Sequence, residues 1–325
     1  MRFGISIPQH VVHGIPSGDS NGDSNGDSNG GFQPEQLRDH LNRAEALGFD
    51  SAWTLELVLG SMPTLGAIET MSFAAACTER MRLGCAVFVT PLRNPVQLAK
   101  SLSTLDQLSG GRLDVGIGTG GRGRMFSAFD ADPDTFVARF TEGLALMRAL
   151  WTEPEITFDG RFWQLERAAM EPKPVQKPGP PIWFGGSHPA ALRRAVRLGD
   201  GFFGAGSQTT AKFAEQVGVV REALASVTMM SRDPASFAIA KRVYITVDDD
   251  AERARQRTAS ALHQMYAFLD HEDLAAVAVH GSPEACVEGL RAVADAGAEL
   301  ILLNPLFDDA EQMERLAADV IPHLA

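Results

Sequence analysis

Residues 83–116 read LGCAVFVTPLRNPVQLAKSLSTLDQLSGGRLDVG, and this stretch decides the fold class. A β-rich apolar run at 83–89 is followed by Asn94-Pro95. That pair opens a helix, because asparagine caps free N–H groups and proline is tolerated in the first turn. The helical pattern spans 95–108, and a second β-rich run starts at Leu113. Strands joined by a crossover helix pair in parallel, since the connection is far longer than a hairpin needs.

Worked outward, the same alternation fills the chain. Strands are expected at 3–7, 51–55, 83–89, 113–116, 182–184, 201–203, 240–247 and 300–303. Helical patterns lie between them, for example at 36–47, 135–151 and 283–296, the last opened by Ser282-Pro283-Glu284. Residues 300–303 are apolar at every position, as expected of a strand covered on both faces. Eight such units predict an α/β fold: a (β/α)8 TIM barrel with a closed parallel eight-stranded sheet. An open doubly wound sheet is the runner-up, and it is disfavoured by the lack of an early GxGxxG fingerprint. The 325 residues suit one barrel domain over 1–325 with insertions.

Two segments break the alternation. Residues 17–31 repeat GDSN three times, a composition that favours turns and cannot build a core, so a flexible loop is expected there. A calcium site at Asp19, Asn21 and Asp23 lacks the distal glutamate such loops use. Residues 153–181 are expected to be an insertion, with a hairpin at 156–163 turning at Asp159-Gly160 and a proline-rich connector at 171–181.

Composition narrows the partners. The chain is 45% hydrophobic, and 29 basic against 41 acidic residues give a net charge of −12. Such a surface repels phosphate backbones, so no nucleic-acid partner is expected. Cys77, Cys85 and Cys286 have no CxxC or Cys/His spacing and read as reduced thiols. No HExxH or other ligand grouping supports a metal, and no GxSxG supports a serine hydrolase. Met1-Arg2-Phe3-Gly4 leads straight into a strand, and no apolar run approaches the about 18 residues that span a bilayer. A cytoplasmic protein without membrane contact is expected.

In such a barrel the active site lies on loops at the carboxyl ends of the strands. The first strand delivers Pro8, Gln9, His10 and His13; the second Glu56 and Leu57; the third Thr90-Pro91. The fourth delivers Gly118 to Arg124, including Thr119, Gly120, Gly121 and Arg122. The fifth delivers Gly185-Gly186-Ser187, with Ser187 expected to cap the next helix, and the sixth delivers Gly204 to Ser207. Glycines beside a helix N-terminus let an anion approach free N–H groups. Tight βα turns explain such glycines equally well one loop at a time, but two adjacent loops with a hydroxyl and guanidinium groups favour a phosphate site. Glu56 is a candidate for ligand contact or proton transfer, or a solvated loop carboxylate. His10 is a second candidate acid–base group, or a structural histidine. Trp53, Trp183, Phe184 and Phe203 are candidates for an apolar pocket or for barrel packing. Lys241, at the start of a strand, is expected at the opposite end.

The motifs also occur in a telling order. Leu83-Gly84-Cys85-Ala86-Val87, Asn94-Pro95, Ala99, LDQLSGGR at 105–112 and Gly116-Ile117-Gly118-Thr119-Gly120 come first. Pro181-Ile182-Trp183-Phe184-Gly185-Gly186, Gly199-Asp200-Gly201-Phe202 and Gly281-Ser282-Pro283-Glu284 follow. Over nearly the whole chain this series resembles the luciferase-like monooxygenase superfamily, and within it the F420-dependent oxidoreductase branch. The resemblance implies a flavin or deazaflavin at the barrel mouth, backed by a non-prolyl cis peptide in the third strand, here Ala86–Val87. It also implies cofactor contacts from Glu56, Thr119, Gly120, Gly185 and Gly186. F420 is the cofactor it favours, FMN the alternative. Two departures stand out: Leu57 and Gly121 occupy positions where the sugar-phosphate dehydrogenases of the family carry a histidine and a glutamate. The expected activity is hydride transfer between F420 and a small organic substrate. The alternatives are an FMN-dependent monooxygenase using reduced flavin and oxygen, and a flavin-binding protein without turnover. A homodimer, and a reductase supplying reduced cofactor, are the expected partners.

Overall fold

The computed structural model describes residues 1–9, 32–60, 62–120, 125–227, 234–266 and 274–324. Eight parallel strands close into a barrel: β1 (Arg2–Ser6), β2 (Ser51–Thr54), β3 (Arg82–Val89), β4 (Leu113–Gly118), β7 (Ile182–Gly185), β8 (Gly201–Gly204), β9 (Ala238–Val247) and β11 (Leu300–Pro305). Pairing runs in chain order, and β9 joins both β8 and β11 to close the ring. A hairpin of β5 (Ile156–Asp159) and β6 (Gln164–Ala168) lies between β4 and β7, and β10 (Val279–Gly281) extends β9 at its carboxyl end.

The outer layer comprises α1 (Pro34–Ala46), α2 (Ala67–Cys77), α3 (Pro95–Leu108), α4 (Met125–Ala128), α5 (Phe136–Thr152), α6 (Pro189–Leu198), α7 (Thr210–Val227), α8 (Ala251–Met265), α9 (Pro283–Asp295) and α10 (Asp309–Arg315). Proline opens α1, α3, α6 and α9, where its missing N–H has no intrahelical partner to lose. Asn94 caps α3 as expected, its Oδ1 accepting from the N–H groups of Val96 and Gln97 at 2.9 and 3.2 Å.

Alternate strand residues face helices and barrel interior, so both faces are covered. Ile5, Leu83, Val115, Phe202 and Ile301 pack under the helices in the main core. Inside the barrel, Trp53 meets Trp183 and Phe203 edge-on, at centroid distances of 6.0 and 4.7 Å. Gly84 vacates the space: a Cβ there would stand 2.4 Å from the Trp53 ring. Beneath them Asp114 accepts from Arg82 Nε at 2.6 Å and from Trp183 Nε1 at 3.1 Å, closing the amino end of the barrel. Phe184 points the other way, toward Phe140 of α5. Packing therefore accounts for Trp53, Trp183 and Phe184.

The insertion hairpin is longer than its expected bounds. The carboxylate of Glu142 on α5 accepts from the N–H groups of Arg161, Phe162 and Trp163, which holds those residues in a turn and delays the return strand to Gln164. The GDSN repeat lies outside the described residues.

His40 of α1 gives the fold a pH dependence. It is buried against β1, near the backbone of Ser6, and its Nε2 has no partner among the described residues. Burial lowers it from 6.5 to about 4. Because the folded value lies below the unfolded one, the unfolded chain binds the extra proton first as pH falls from 6.5 toward 4. Stability is therefore full above 6.5 and lost through that window. Between pH 7 and pH 5 this group alone should cost about 2 kcal/mol. Urea midpoints at the two pH values will show the loss, and His40→Phe will flatten it. An equal loss in the variant would refute the assignment.

Candidate active site

The carboxyl ends of the barrel strands enclose a cavity of about 270 Å³. One wall is a bulge. The Ala86–Val87 peptide is cis, and the pairing of β3 with β4 slips between Cys85 and Phe88. Val87 then projects between two neighbouring strands, where only glycine leaves it room: a Cβ on Gly118 or Gly185 would come within 2.7 or 3.0 Å of its methyl groups. Thr119 and Gly120 after β4, and Gly185 and Gly186 after β7, line the same cavity. The structure thus brings the two glycine loops and the bulge to one place. Gly121, Arg122, Arg124, His10 and His13 lie outside the described residues.

Ser187 does not cap α6. Pro189 occupies the first helical position and pushes the preceding residue into extended backbone, so His188 is the cap, its Nδ1 accepting from Ala190 N–H at 3.2 Å.

Glu56 stands behind the bulge, outside the cavity wall. Its side chain is 3% exposed. One oxygen accepts from the N–H of Val89 at 2.7 Å; the other accepts from Arg93 Nε at 2.8 Å and from the same guanidinium's Nη2. Both oxygens therefore serve to tie the end of β3 to the loop after it. Gln9 works similarly, its amide bridging the backbone of Leu55 and Leu65.

The opposite wall carries residues that sequence reasoning passed over. Arg242 of β9 donates from Nη2 to the carbonyl of Ala86 at 3.1 Å, while its buried Nε finds no acceptor among the described residues. Tyr244, two residues on along the same face, places its hydroxyl 2.5 Å from that of Tyr266, which ends α8. Phe203 and the Gly204 to Gly206 loop complete the wall. The available signal was an arginine and a tyrosine at alternate positions of the strand AKRVYITV. Tyr266 carried no local signal.

Lys241 corrects an expectation. The strand begins at Ala238, earlier than expected, so this lysine sits further along it and turns to the helix side. Its ammonium donates to the carbonyls of Ala205 and Gln208 at 3.1 and 2.8 Å, pinning the loop after β8. Burial lowers it to about 8.

A larger hollow, about 410 Å³, lies between α6 and α7, where Arg193, Arg194 and Arg197 face Glu222. It opens on the outside of the helical layer, away from the strand ends where barrel chemistry sits. Among the described residues no group of three His, Cys, Asp or Glu side chains is placed to hold a metal.

A model of the luciferase-like monooxygenase family matches residues 1–271. An F420-dependent glucose-6-phosphate dehydrogenase of Intrasporangium calvum is 31% identical over 322 residues, covering 90% of this chain and 96% of the relative. Among solved structures, a monooxygenase from Streptomyces bottropensis is 25% identical with a TM-score of 0.78, over 100% of both chains. An F420-dependent secondary alcohol dehydrogenase in complex with an F420–acetone adduct reaches a TM-score of 0.82 at 19% identity, covering 100% of this chain and 99% of its own, a likeness of fold. Matched by the family model over most of its length and folded as that family folds, the chain belongs to the luciferase-like monooxygenase family.

Proposed function

We propose that this protein is an F420-dependent oxidoreductase that moves a hydride between the deazaflavin and a small, mostly apolar organic substrate. The observation that carries this reading is the meeting, in one cavity, of the Ala86–Val87 bulge, two glycine loops and the Nε of Arg242, which has no acceptor among the described residues. These residues fit such a cofactor. A buried N–H without an acceptor costs stability until a ligand supplies one, and a heteroaromatic ring with carbonyl oxygens does so. A cavity of about 270 Å³ has room for a flat ring system, with the remainder of the cofactor running out over the loops.

Ala86 and Val87 would support the ring, Arg242 would meet a ring acceptor, and the backbone around Thr119, Gly120, Gly185 and Gly186, with the residues next in sequence, Gly121, Arg122 and Ser187, would take the phosphate. Bound there, the deazaflavin supplies or accepts the hydride, while the protein fixes position and excludes water. Glu56 acts as a positioning residue through the end of β3. His10, directly after Gln9, remains a candidate for proton transfer. Sugar phosphates are disfavoured as substrates by Leu57 and Gly121, which replace the acid–base pair of the sugar-phosphate dehydrogenases. The chain acts as one barrel domain, as a cytoplasmic homodimer, with a separate reductase renewing the reduced cofactor. No helix among the described residues is long and apolar enough to cross a membrane.

FMN has a claim as the alternative cofactor, because its phosphate would use the same loops. Turnover separates the two. With reduced F420 and a panel of ketones, enones and imines, the cofactor's absorbance should return to the oxidised form without oxygen uptake. Oxygen consumption with reduced FMN and substrate, and none of the first reaction, would overturn the proposal. No turnover with either would leave a flavin-binding protein.

A further inference from the structure

We infer that Tyr244 and Tyr266 form the proton-transfer pair of this site and that its substrates are carbonyl compounds and the corresponding alcohols. The inference rests on the hydride-transfer reading above and deepens it.

The chain has only two tyrosines, and both line the cavity with their hydroxyl groups 2.5 Å apart. Tyr244 projects inward from β9, 2% exposed, held against the backbone of Gly206, where a Cβ would stand 2.7 Å from its ring. Tyr266 is half-buried at the end of α8, beside the Ser207 hydroxyl. The ring centroids lie 6.1 Å apart at 69°. Among the described residues no carboxylate or imidazole lines the cavity; Arg242 is the one charged side chain there. Arginine stays protonated, so the phenols are the groups on these walls suited to exchanging a proton.

That supply matches what a carbonyl demands. When its carbon receives the hydride, the C=O π bond breaks, a C–H bond forms and the oxygen gains the electron pair. An alkoxide is a stronger base than a phenolate, so the Tyr244 proton moves to that oxygen. The Tyr266 proton follows to Tyr244, and Tyr266 recovers one from water on its exposed side. Alcohol oxidation runs the same steps backwards. Burial, reinforced by the contact with Tyr244, pushes Tyr266 well above the ordinary phenol range, although Arg242 and Ser207 act the other way. A proton is therefore in place wherever the protein is folded.

With no other tyrosine present, tyrosinate absorbance reports this pair alone. In the apoprotein, alkaline difference spectra should show Tyr266 ionising well above the ordinary phenol range. Tyr244→Phe should leave a single step at lower pH, because Tyr266 then loses the neighbour that opposes its ionisation. With reduced F420 and a ketone, Tyr244→Phe should lower kcat about 100-fold or more, and Tyr266→Phe about 10-fold, with F420 affinity within about threefold of wild type. Wild-type kcat in both variants overturns the inference alone, as does a Tyr266 that titrates at an ordinary phenol value and is unmoved by Tyr244→Phe. Loss of rate that follows lost F420 affinity overturns it too, by making the pair merely structural. A wild-type enzyme that binds F420 but turns over neither ketones nor alcohols overturns it as well. If enones or imines are then reduced, the hydride-transfer reading stands; if nothing is, that reading falls with it.

Discussion

Gly116→Ala is expected to cost the protein about 3 kcal/mol or more and to damage the cofactor site as it does so. An added Cβ would stand 2.0 Å from the carbonyl oxygen of Cys85, far inside any tolerated contact. The obstruction is backbone of the adjacent strand, immediately before the bulge, so no side chain can swing away. Overpacking in a core costs about 1–3 kcal/mol and more where backbone must move. At about 2.1 cal/mol/K of unfolding entropy per residue, 1 kcal/mol moves the midpoint of a 325-residue domain by about 1.5 °C, so the thermal midpoint should fall by about 4–5 °C or more. Relief requires β3 to shift at Cys85, which displaces Ala86 and Val87. F420 affinity should fall in the protein that remains folded. Circular dichroism melts and a cofactor titration check both, and a wild-type midpoint would contradict the packing described.

Glu56→Ala is the second large effect. The substitution strips Arg93 of its partner and leaves the N–H of Val89 without its acceptor. Removing one side of a buried pair costs about 3–5 kcal/mol, and the 31% exposure of Arg93 lets water recover part of that, so about 2–3 kcal/mol is expected. Glu56→Gln keeps the acceptor for Val89 and loses only the charge, so it should fall between. In both variants stability and F420 affinity should drop together, because the end of β3 carries the bulge. If Glu56 were instead the acid or base of the hydride step, Gln would preserve affinity and stability and abolish kcat. Denaturant midpoints, F420 dissociation constants and kcat measured side by side distinguish the two roles.

The fold was largely legible because its signals are local and repeated. Each of the eight expected strands lies in the barrel, and the 95–108 helix matches α3 to the residue. The candidate site was legible where glycine loops follow strands and line the cavity, since backbone chemistry leaves a compositional mark. It was not legible where the cavity lining depends on which face of a strand turns inward. Arg242 and Tyr244 alternate with Lys241 and Val243, and only the closed barrel shows that the first pair faces the cavity. Tyr266 reaches Tyr244 from the end of a helix 22 residues on, a contact no spacing rule anticipates. Two residues of the motifs behind the family resemblance brace the barrel. Asp106 accepts from both nitrogens of Gln176, strapping the proline-rich connector to α3. Arg112 ties the carbonyls of Ala75, Thr78, Met81 and Ser109 together below the barrel. Glu56, a candidate cofactor contact, is also held by Arg93, because the arginine four residues beyond β3 comes back over that strand's end.

The most direct measurement is a fluorescence titration of the purified apoprotein with oxidised F420 and, separately, FMN, repeated with Arg242→Met. F420 should bind at least about tenfold more tightly than FMN, and the variant should lose at least about tenfold, or about 1.4 kcal/mol, of that affinity. Tighter binding of FMN, or F420 binding untouched by loss of the guanidinium, would contradict the account.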